Sequence, residues 1–156
     1  MISDPNNRRS VVAALAVSAA TLVAIASNEG YDGTAYRDTG GVPTIGFGET
    51  QGVKMGQSTT PVRALLQLEK SADEHAKGMA QCIQVPLYQY EYDAYVDFTY
   101  NVGVNNFCHS TLVKLLNKQQ YMLACEQLLR WNRVQGKVVP GLTKRRESEY
   151  KECIGQ

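Results

Sequence analysis

Three side chains near the start of the chain could together hydrolyse a glycosidic bond. Glu29 is followed nine positions later by Asp38, and Thr44 comes six positions after that. A glycosidic bond breaks when one carboxylic acid protonates the leaving oxygen and a second carboxylate activates a water molecule. Glu29 is the expected acid, Asp38 the expected base, and the Thr44 hydroxyl would hold the water against Asp38. The alternative interpretation is that the two carboxylates only cap a helix and a turn.

The residues around this trio follow a recognisable pattern. Four short elements succeed one another: Glu29-Gly30, Tyr36-x-Asp38, Gly41-x-x-Thr44 and Gly46-x-Gly48. Together they resemble the active-site signature of the phage-type lysozymes, the muramidases with which phages cut bacterial cell walls. The resemblance reaches to about residue 153. It implies that the trio is catalytic and that the substrate is the β-1,4 bond between N-acetylmuramic acid and N-acetylglucosamine in peptidoglycan.

Contrasting surroundings should separate the acid from the base. Gly30 predicts that a helix ends at Glu29, because glycine accepts the left-handed conformation of a C-terminal cap. The negative end of the helix dipole would then favour the protonated form of Glu29. Asp38 lies among turn-forming glycines, where we expect it to stay ionised. If Asp38 and Thr44 hold the attacking water, the mechanism is inverting.

An uncharged run of nineteen residues, from Ser10 to Asn28, leads directly into Glu29. As a helix it would be about 28 Å long, close to the ~30 Å hydrocarbon core of a bilayer. Arg8 and Arg9 precede it, which favours a cytoplasmic N-terminus. The run is rich in alanine and serine, so we expect weak insertion that can be reversed. Its strong hydrophobes are Leu15, Leu22 and Ile25.

Three roles are open for residues 1–28. A secretory signal peptide cut after Ala26 would leave Glu29 without the helix that positions it. A permanent anchor would need a more apolar segment. In the third role the segment is a signal-anchor that is later released, and here the chain resembles the signal-arrest-release endolysins of phages. This role divides the chain into a release segment, residues 1–28, and a lysozyme-like catalytic domain, residues 29–156. The expected location is the host inner membrane, then the periplasm.

The composition limits the classes of molecule that we expect this protein to bind. A net charge of +1 over 156 residues gives no strong field for nucleic acid. The expected partners of this monomer are peptidoglycan glycan strands and, before release, the inner membrane. No Cys/His spacing indicates zinc, so neither a metal nor a cofactor is expected. The chain has four cysteines, Cys82, Cys108, Cys125 and Cys153. In an exported chain they predict two disulfides, for which three pairings are possible.

Helical patterns fill most of the chain after the glycine-rich segment. Thr60-Pro61 predicts the start of a long helix that reaches about Cys82, because proline is favoured at the first helical position. Ser110 predicts the cap of a later helix. In the lysozyme-like interpretation the fold is α+β and mainly α-helical. It has two lobes: a small β-hairpin lobe, a connecting helix and a larger helical lobe, with the cleft between them.

Two later elements also resemble parts of the lysozyme cleft. Phe98-x-x-Asn101-x-Gly103 matches an aromatic-x-x-Asn-x-Gly element, and Asn101 and Tyr36 are the predicted substrate-binding residues. The adjacent Arg145 and Arg146 follow a Gly-Leu pair, as in the family. One of them should pair with Glu29 or order the cleft, and which one stays open. Alternatively, both lie on a solvated helix face beside glutamates.

Two other functions compete with a hydrolase. A lytic transglycosylase needs an acid/base glutamate but no Asp and Thr to hold water. A membrane-tethered wall-binding module could keep the fold without the chemistry, because fold alone does not decide function. The presence of Glu29, Asp38 and Thr44 together favours the hydrolase.

Overall fold

The computed structural model describes residues 8–156. Within them the chain forms seven α-helices and two antiparallel β-hairpins, which confirms the predicted α+β, mainly helical fold. In chain order the elements are α1 (Ala19–Glu29), β1 (Asp32–Arg37), β2 (Pro43–Gly46), α2 (Pro61–Ala80), α3 (Gln89–Val102), α4 (Val104–Cys108), α5 (Thr111–Leu116), α6 (Tyr121–Leu128), β3 (Arg133–Val134), β4 (Lys137–Val138) and α7 (Pro140–Cys153).

The residues before α1 lie against the start of α3. Ser10 pairs with Leu87 through two backbone hydrogen bonds of 2.7 and 2.9 Å. A short 3-10 helix, Val12–Ala14, follows, and the side chain of Gln89 donates to the carbonyl of Ala16. The uncharged run is therefore not one continuous helix here, because its first half bonds to the residues around the start of α3.

Helix α1 begins where a serine caps it. The Ser18 hydroxyl accepts a hydrogen bond from the backbone N–H of Thr21, as expected of an N-cap. Ile25 is fully buried in the core, whereas Val23 stays 64% exposed. The predicted end of a helix at Glu29 is confirmed, and α1 packs on α2 and α3. Within residues 8–156, no helix combines the length and the apolar character needed to cross a membrane.

Helix α3 is the centre of the larger lobe. Helices α1, α2, α4 and α7 all pack on it. Its buried residues include Tyr95 and Phe98, but also Glu91, Asp93 and Asp97. A buried carboxylate needs a hydrogen-bonding or charged partner, so these acids decide which polar groups of the neighbouring elements face α3.

Local signals predicted the helix starts correctly. The Thr60 hydroxyl accepts a hydrogen bond from the Arg63 N–H, and Pro61 is the first residue of α2. The Ser110 hydroxyl accepts from the Val113 N–H at the start of α5. Helix α2, twenty residues long, is the predicted connecting helix between the hairpin and the helical lobe.

Both predicted disulfides are confirmed. One joins Cys82, just after α2, to Cys108 at the end of α4. The other joins Cys125 in α6 to Cys153 at the end of α7. Each bridge therefore ties helices of the larger lobe together, and the pairing follows the order of the cysteines along the chain.

Candidate active site

The acid candidate stands at the end of α1. Helix α1 ends at Glu29, and Gly30 follows with a φ of 73°, the left-handed conformation that the sequence predicted. The Glu29 side chain is 24% exposed. Gly48, from the loop after β2, passes very close: a Cβ there would lie 3.3 Å from Glu29 Oε2. A glycine at 48 therefore leaves one face of the carboxyl open.

A buried arginine holds the other carboxyl oxygen of Glu29. Arg145 Nη1 donates to Glu29 Oε1 at 2.9 Å, and Nη2 donates to Asp97 Oδ1 at 2.7 Å. The Arg145 side chain is only 7% exposed. Burial lowers the pKa of Arg145, but the charge of Asp97 and the hydrogen bonds to Glu29 and Asp97 raise it above its ordinary value overall. Arg145 is thus the member of the arginine pair that meets Glu29.

The neighbouring Arg146 bonds to residues of α7 and α3. Arg146 donates to Glu149 Oε2 at 2.8 Å and to Asn101 Oδ1, and its guanidinium lies 4.8 Å from the centre of the Phe98 ring. Burial lowers the pKa of Arg146 and raises that of Glu149. The alternative of a solvated helix face is wrong for both arginines, because α7 packs against α3 and meets its polar residues.

The base candidate and the threonine share one turn. Asp38 Oδ1 accepts two backbone hydrogen bonds, from Gly40 N–H at 2.9 Å and Val42 N–H at 2.8 Å. The Thr44 hydroxyl donates to the Val42 carbonyl at 3.0 Å, and Thr44 is nearly buried. Both side chains therefore bond to the backbone of Val42, Asp38 at its N–H and Thr44 at its carbonyl.

Among residues 8–156, Glu29 is not hydrogen-bonded to the Asp38 and Thr44 side chains on the hairpin. Tyr36 lies opposite Thr44 in the register of β1 and β2, so the two side chains share a face of the hairpin. The Tyr36 ring is 39% exposed. The hairpin thus presents an aromatic ring and the base candidate on one element, while α1 presents the acid.

One cavity lies between the hairpin lobe and α2 and another on the helical lobe, and neither is lined by Glu29, Asp38 or Thr44. The first, of about 390 Å³, is lined by Phe47, Glu49, Gln67 and Tyr100 among others. Burial raises the pKa of Tyr100, and the charges of Glu29 and Glu49 act in the same direction. The second, of about 470 Å³, lies beside Asn101 and Trp131. Asn101 thus reaches the site indirectly, through its bond to α7.

One residue at the site had no counterpart in the sequence interpretation. Asp97 accepts from Arg145 and receives a longer hydrogen bond, 3.4 Å, from the Asn28 side chain at the end of α1. Its signal was the four-residue spacing of Asp93, Asp97 and Asn101, which places the three polar side chains along one side of α3. For metals, the described chain offers no group of three or more His, Cys, Asp or Glu side chains that could hold an ion.

Comparison with known proteins shows which family the chain belongs to. Residues 26–149 match the family model described as Phage lysozyme. The chain belongs to the phage lysozyme family. It is 41% identical over 147 residues to the SAR-endolysin of Pseudomonas phage phiKMV, an alignment that covers 91% of this chain and 89% of that protein. This phage lysozyme is accordingly an endolysin of the glycoside hydrolase class, which confirms the predicted family and activity class.

Solved structures agree with this assignment. The endolysin from Escherichia coli O157:H7 phage FAHEc1 is similar with a TM-score of 0.83 and 31% identity, over 95% of this chain and 97% of that one. The muramidase domain of SpmX from Asticaccaulis excentricus also has a TM-score of 0.83, at 25% identity, over 96% of this chain and 100% of that one. The predicted two-lobed lysozyme fold is confirmed.

Proposed function

We propose that this phage lysozyme hydrolyses the β-1,4 bond between N-acetylmuramic acid and N-acetylglucosamine in peptidoglycan, with inversion at the anomeric carbon. Glu29 is the general acid, Asp38 is the general base, and Thr44 holds the water. The observation that carries this proposal is the Glu29 carboxyl itself. It is partly exposed at a helix end, with one oxygen held by the buried Arg145 and the other beside Gly48.

The two oxygens of Glu29 have different tasks in this mechanism. Oε1 accepts the hydrogen bond from Arg145 and fixes the orientation of the carboxyl group. Oε2, on the side of Gly48, carries the proton to the leaving glycosidic oxygen. Such a positioned general acid contributes about 10²–10⁴-fold to the rate.

The hairpin turn supplies the water. Asp38 Oδ1 is occupied by two backbone donors, which leaves Oδ2 to take the proton from the attacking water. The Thr44 hydroxyl gives its hydrogen to the Val42 carbonyl, so its lone pairs can accept a hydrogen bond from that same water. Attack from the face opposite the leaving group requires the carboxyls of Glu29 and Asp38 to stand roughly 6.5–9.5 Å apart in the substrate complex.

Two residues are proposed to bind the glycan strand. Tyr36 offers an exposed ring on the hairpin beside Thr44, and a sugar can stack on it. Asn101 has its amide oxygen engaged by Arg146, so its NH₂ group is available to a sugar hydroxyl or acetamido group. The enzyme works as a monomer in this proposal, because one chain provides every proposed group.

Clearing of purified peptidoglycan tests the catalytic roles. We expect Glu29→Gln to reduce clearing by at least ~10²-fold, Asp38→Ala nearly as much, and Thr44→Ala less. Glu147→Gln, the same chemical change at an exposed position of α7, is the matched control and should clear normally. Near-normal clearing by Glu29→Gln would refute the assignment.

Product analysis separates the hydrolase from its alternatives. A hydrolase releases reducing ends, and with inversion the α-anomer forms first by NMR. An anhydro-muramic end would indicate a lytic transglycosylase instead. Binding to peptidoglycan without any clearing would indicate a wall-binding module.

The N-terminal segment has a proposed role of its own. Residues 1–28 hold the chain in the host inner membrane with the N-terminus in the cytoplasm, and their release moves the enzyme into the periplasm; residues 1–7 of this segment lie outside the described part. Support comes from the weak hydrophobicity of the run and from its contacts here. While the segment lies in the bilayer, the Ser18 N–H cannot donate to Asp93 of α3 as it does here, and Glu29 is not placed beside Arg145.

Arg9 makes the strongest of these contacts. Its guanidinium donates twice to the Glu91 carboxylate, at 2.7 and 3.1 Å. It lies 3.5 Å from the centre of the Tyr121 ring and 4.4 Å from that of Tyr88, which suits the planar arginine fork. Glu91 is almost fully buried, so the released segment provides the charge that this carboxylate needs.

Fractionation of expressing cells tests the release. Leucine at Ala14, Ala19 and Ala20 should keep the protein in the membrane fraction and delay lysis, because each adds apolar area that favours insertion. Serine at the same three positions is the matched control and should increase the periplasmic fraction. Release is contradicted if the leucine variant is found in the soluble periplasmic fraction and lyses on time, or if the active form lacks residues 1–26.

A further inference from the structure

We infer that Asp97 is a positioning residue for the acid: it holds Arg145 in place and balances its charge, so that Glu29 can carry a proton beside a buried cation. The inference rests on the proposed function of Glu29. It concerns a residue that touches neither the substrate nor the reacting atoms.

Asp97 accepts hydrogen bonds both from Arg145, which holds Glu29, and from Asn28, which precedes Glu29 on α1. Its Oδ1 and its backbone carbonyl accept from Arg145 Nη2, at 2.7 and 3.4 Å. Its Oδ2 accepts from the side chain of Asn28, the residue before Glu29. Asp97 therefore fixes the guanidinium whose Nη1 binds Glu29, and it also fixes the last turn of the helix that bears Glu29.

The charges give Asp97 its second task. A buried arginine whose main partner was Glu29 would keep that carboxyl ionised, because an opposite charge nearby favours the charged form. Asp97 is 5% exposed and Arg145 7%, so these two form a buried pair that is neutral by itself. When Glu29 takes up a proton, the Arg145 charge is still paired, and the cost of an unpaired buried cation is avoided.

The other charged or titratable groups on the neighbouring elements stay unchanged in the experiment. Glu149 on α7 lies 3.4 Å from Arg145 Nε. Tyr100 on α3 lines one cavity together with Glu49, which comes from the loop after β2, and His75 on α2 lies 5.0 Å from the Tyr100 ring. The hairpin contributes Asp38. Because these groups are common to every variant, a shift between variants reports the Asp97 and Arg145 charges.

The pH profile of peptidoglycan clearing tests the inference. In Asp97→Asn the Arg145 charge is no longer balanced by Asp97 and favours the ionised form of Glu29. The alkaline limb of the profile, where the acid loses its proton, should therefore move about one pH unit lower. Activity should recover toward the wild-type level at acidic pH. Asp93→Asn is the matched control: Asp93 lies one turn earlier on α3, is equally buried and bonds to Ser18 and Gln89. It should lower the melting temperature but leave the limb in place.

A second variant keeps the test decisive if Asp97→Asn folds poorly. Arg145→Gln removes the cation, so any remaining activity should have its alkaline limb at higher pH than the wild type, opposite in sign to Asp97→Asn. A uniform loss in Asp97→Asn at every pH, or an unmoved limb in both variants, overturns the inference. Normal clearing by Glu29→Gln would overturn the proposed function itself. If Glu29→Gln is inactive but the alkaline limb stays in place in Asp97→Asn and Arg145→Gln, only the role inferred for Asp97 is overturned.

Discussion

The two lobes of this lysozyme are held together by different forces. In the described chain, the main cluster of buried hydrophobic residues has no member between Ile25 and Leu68, and the hairpin lobe contacts it through the partly buried Phe47. The hairpin is fixed by turns, backbone hydrogen bonds and close-packed glycines, whereas the helical lobe has the core and both disulfides. The proposed base and water-holding threonine therefore stand on the less apolar lobe, whereas Arg145 holds the acid at the end of α1, which packs on the helical lobe.

The comparison predicts a large difference in hydrogen exchange. Backbone amides of the hairpin, such as those of Ala35 and Ile45, should exchange at least about a thousand-fold faster than those of Tyr95 and Val96 in α3. Local opening needs less free energy where few apolar contacts are broken. Exchange measured by mass spectrometry or NMR at neutral pH checks this, and equal protection in the two lobes would contradict the comparison.

Loss of a disulfide should affect stability far more than chemistry. Replacing Cys125 and Cys153 together by alanine opens a bridge with a sequence separation of 28, which should reduce the free energy of unfolding by about 3–4 kcal/mol. Clearing at 20 °C should stay near normal, because neither cysteine touches the site. Urea unfolding and clearing assays measure the two effects. The lobes are more strongly coupled than we infer if activity falls in proportion to stability.

A glycine substitution can separate strain from contact with the acid. Gly48→Ala introduces a Cβ at a φ of +85° and 3.3 Å from Glu29 Oε2, so we expect about 1–2 kcal/mol of strain and a clear loss of clearing activity. Gly52→Ala is the matched control, with a φ of +71° and no atom within 4 Å of the new Cβ. It should lose similar stability but keep its activity. Similar clearing by both variants would show that Gly48 does not protect the carboxyl.

The cap of α1 should have a modest effect. Ser18→Ala removes the acceptor for the Thr21 N–H and should destabilise the protein by about 1 kcal/mol. Ser27→Ala, at an exposed position of the same helix where the hydroxyl donates to the Val23 carbonyl, is the control and should change the melting temperature less. Equal melting temperatures for the two variants would mean that the start of α1 contributes little to the core.

The smallest expected effect depends on pH. Burial, followed by the charges of Asp93 and Asp97, raises the pKa of Glu152 from 4.5 to about 7. The folded state therefore binds this proton more tightly than the unfolded state, and stability falls as pH rises from 4.5 to 7. Glu152→Gln should raise the melting temperature by a few degrees at pH 8 and hardly at pH 5. An equal effect at both pH values would show that Glu152 titrates normally.

The sequence predicted those features that depend on a few neighbouring residues. Helix ends at Gly30, Thr60 and Ser110 follow from backbone preferences and capping hydroxyls that act within one turn, and all three are confirmed. The lysozyme family was also recognisable, because the Glu29 to Gly48 pattern lies in one short segment.

Features that depend on how helices are rotated against each other could not be predicted in the same way. Arg145 and Arg146 are adjacent, so they point about 100° apart on α7, and only the packing of α7 on α3 decides which one meets Glu29. Asp97 is decided by the same packing. The residues before Ser18 form no α-helix because they bond to Leu87 and its neighbours, far along the chain, whereas an uncharged run alone predicts a helix there.

The docking of Arg9 on Glu91 also has a consequence for protein synthesis. These two residues are 82 positions apart, and a ribosome adds roughly 5–20 residues per second. The uncharged run therefore leaves the ribosome roughly 4–16 s before its docking surface on α3 has been made. During that interval the run has no partner on α3, and in the release mechanism proposed above this is the time in which it can enter the membrane.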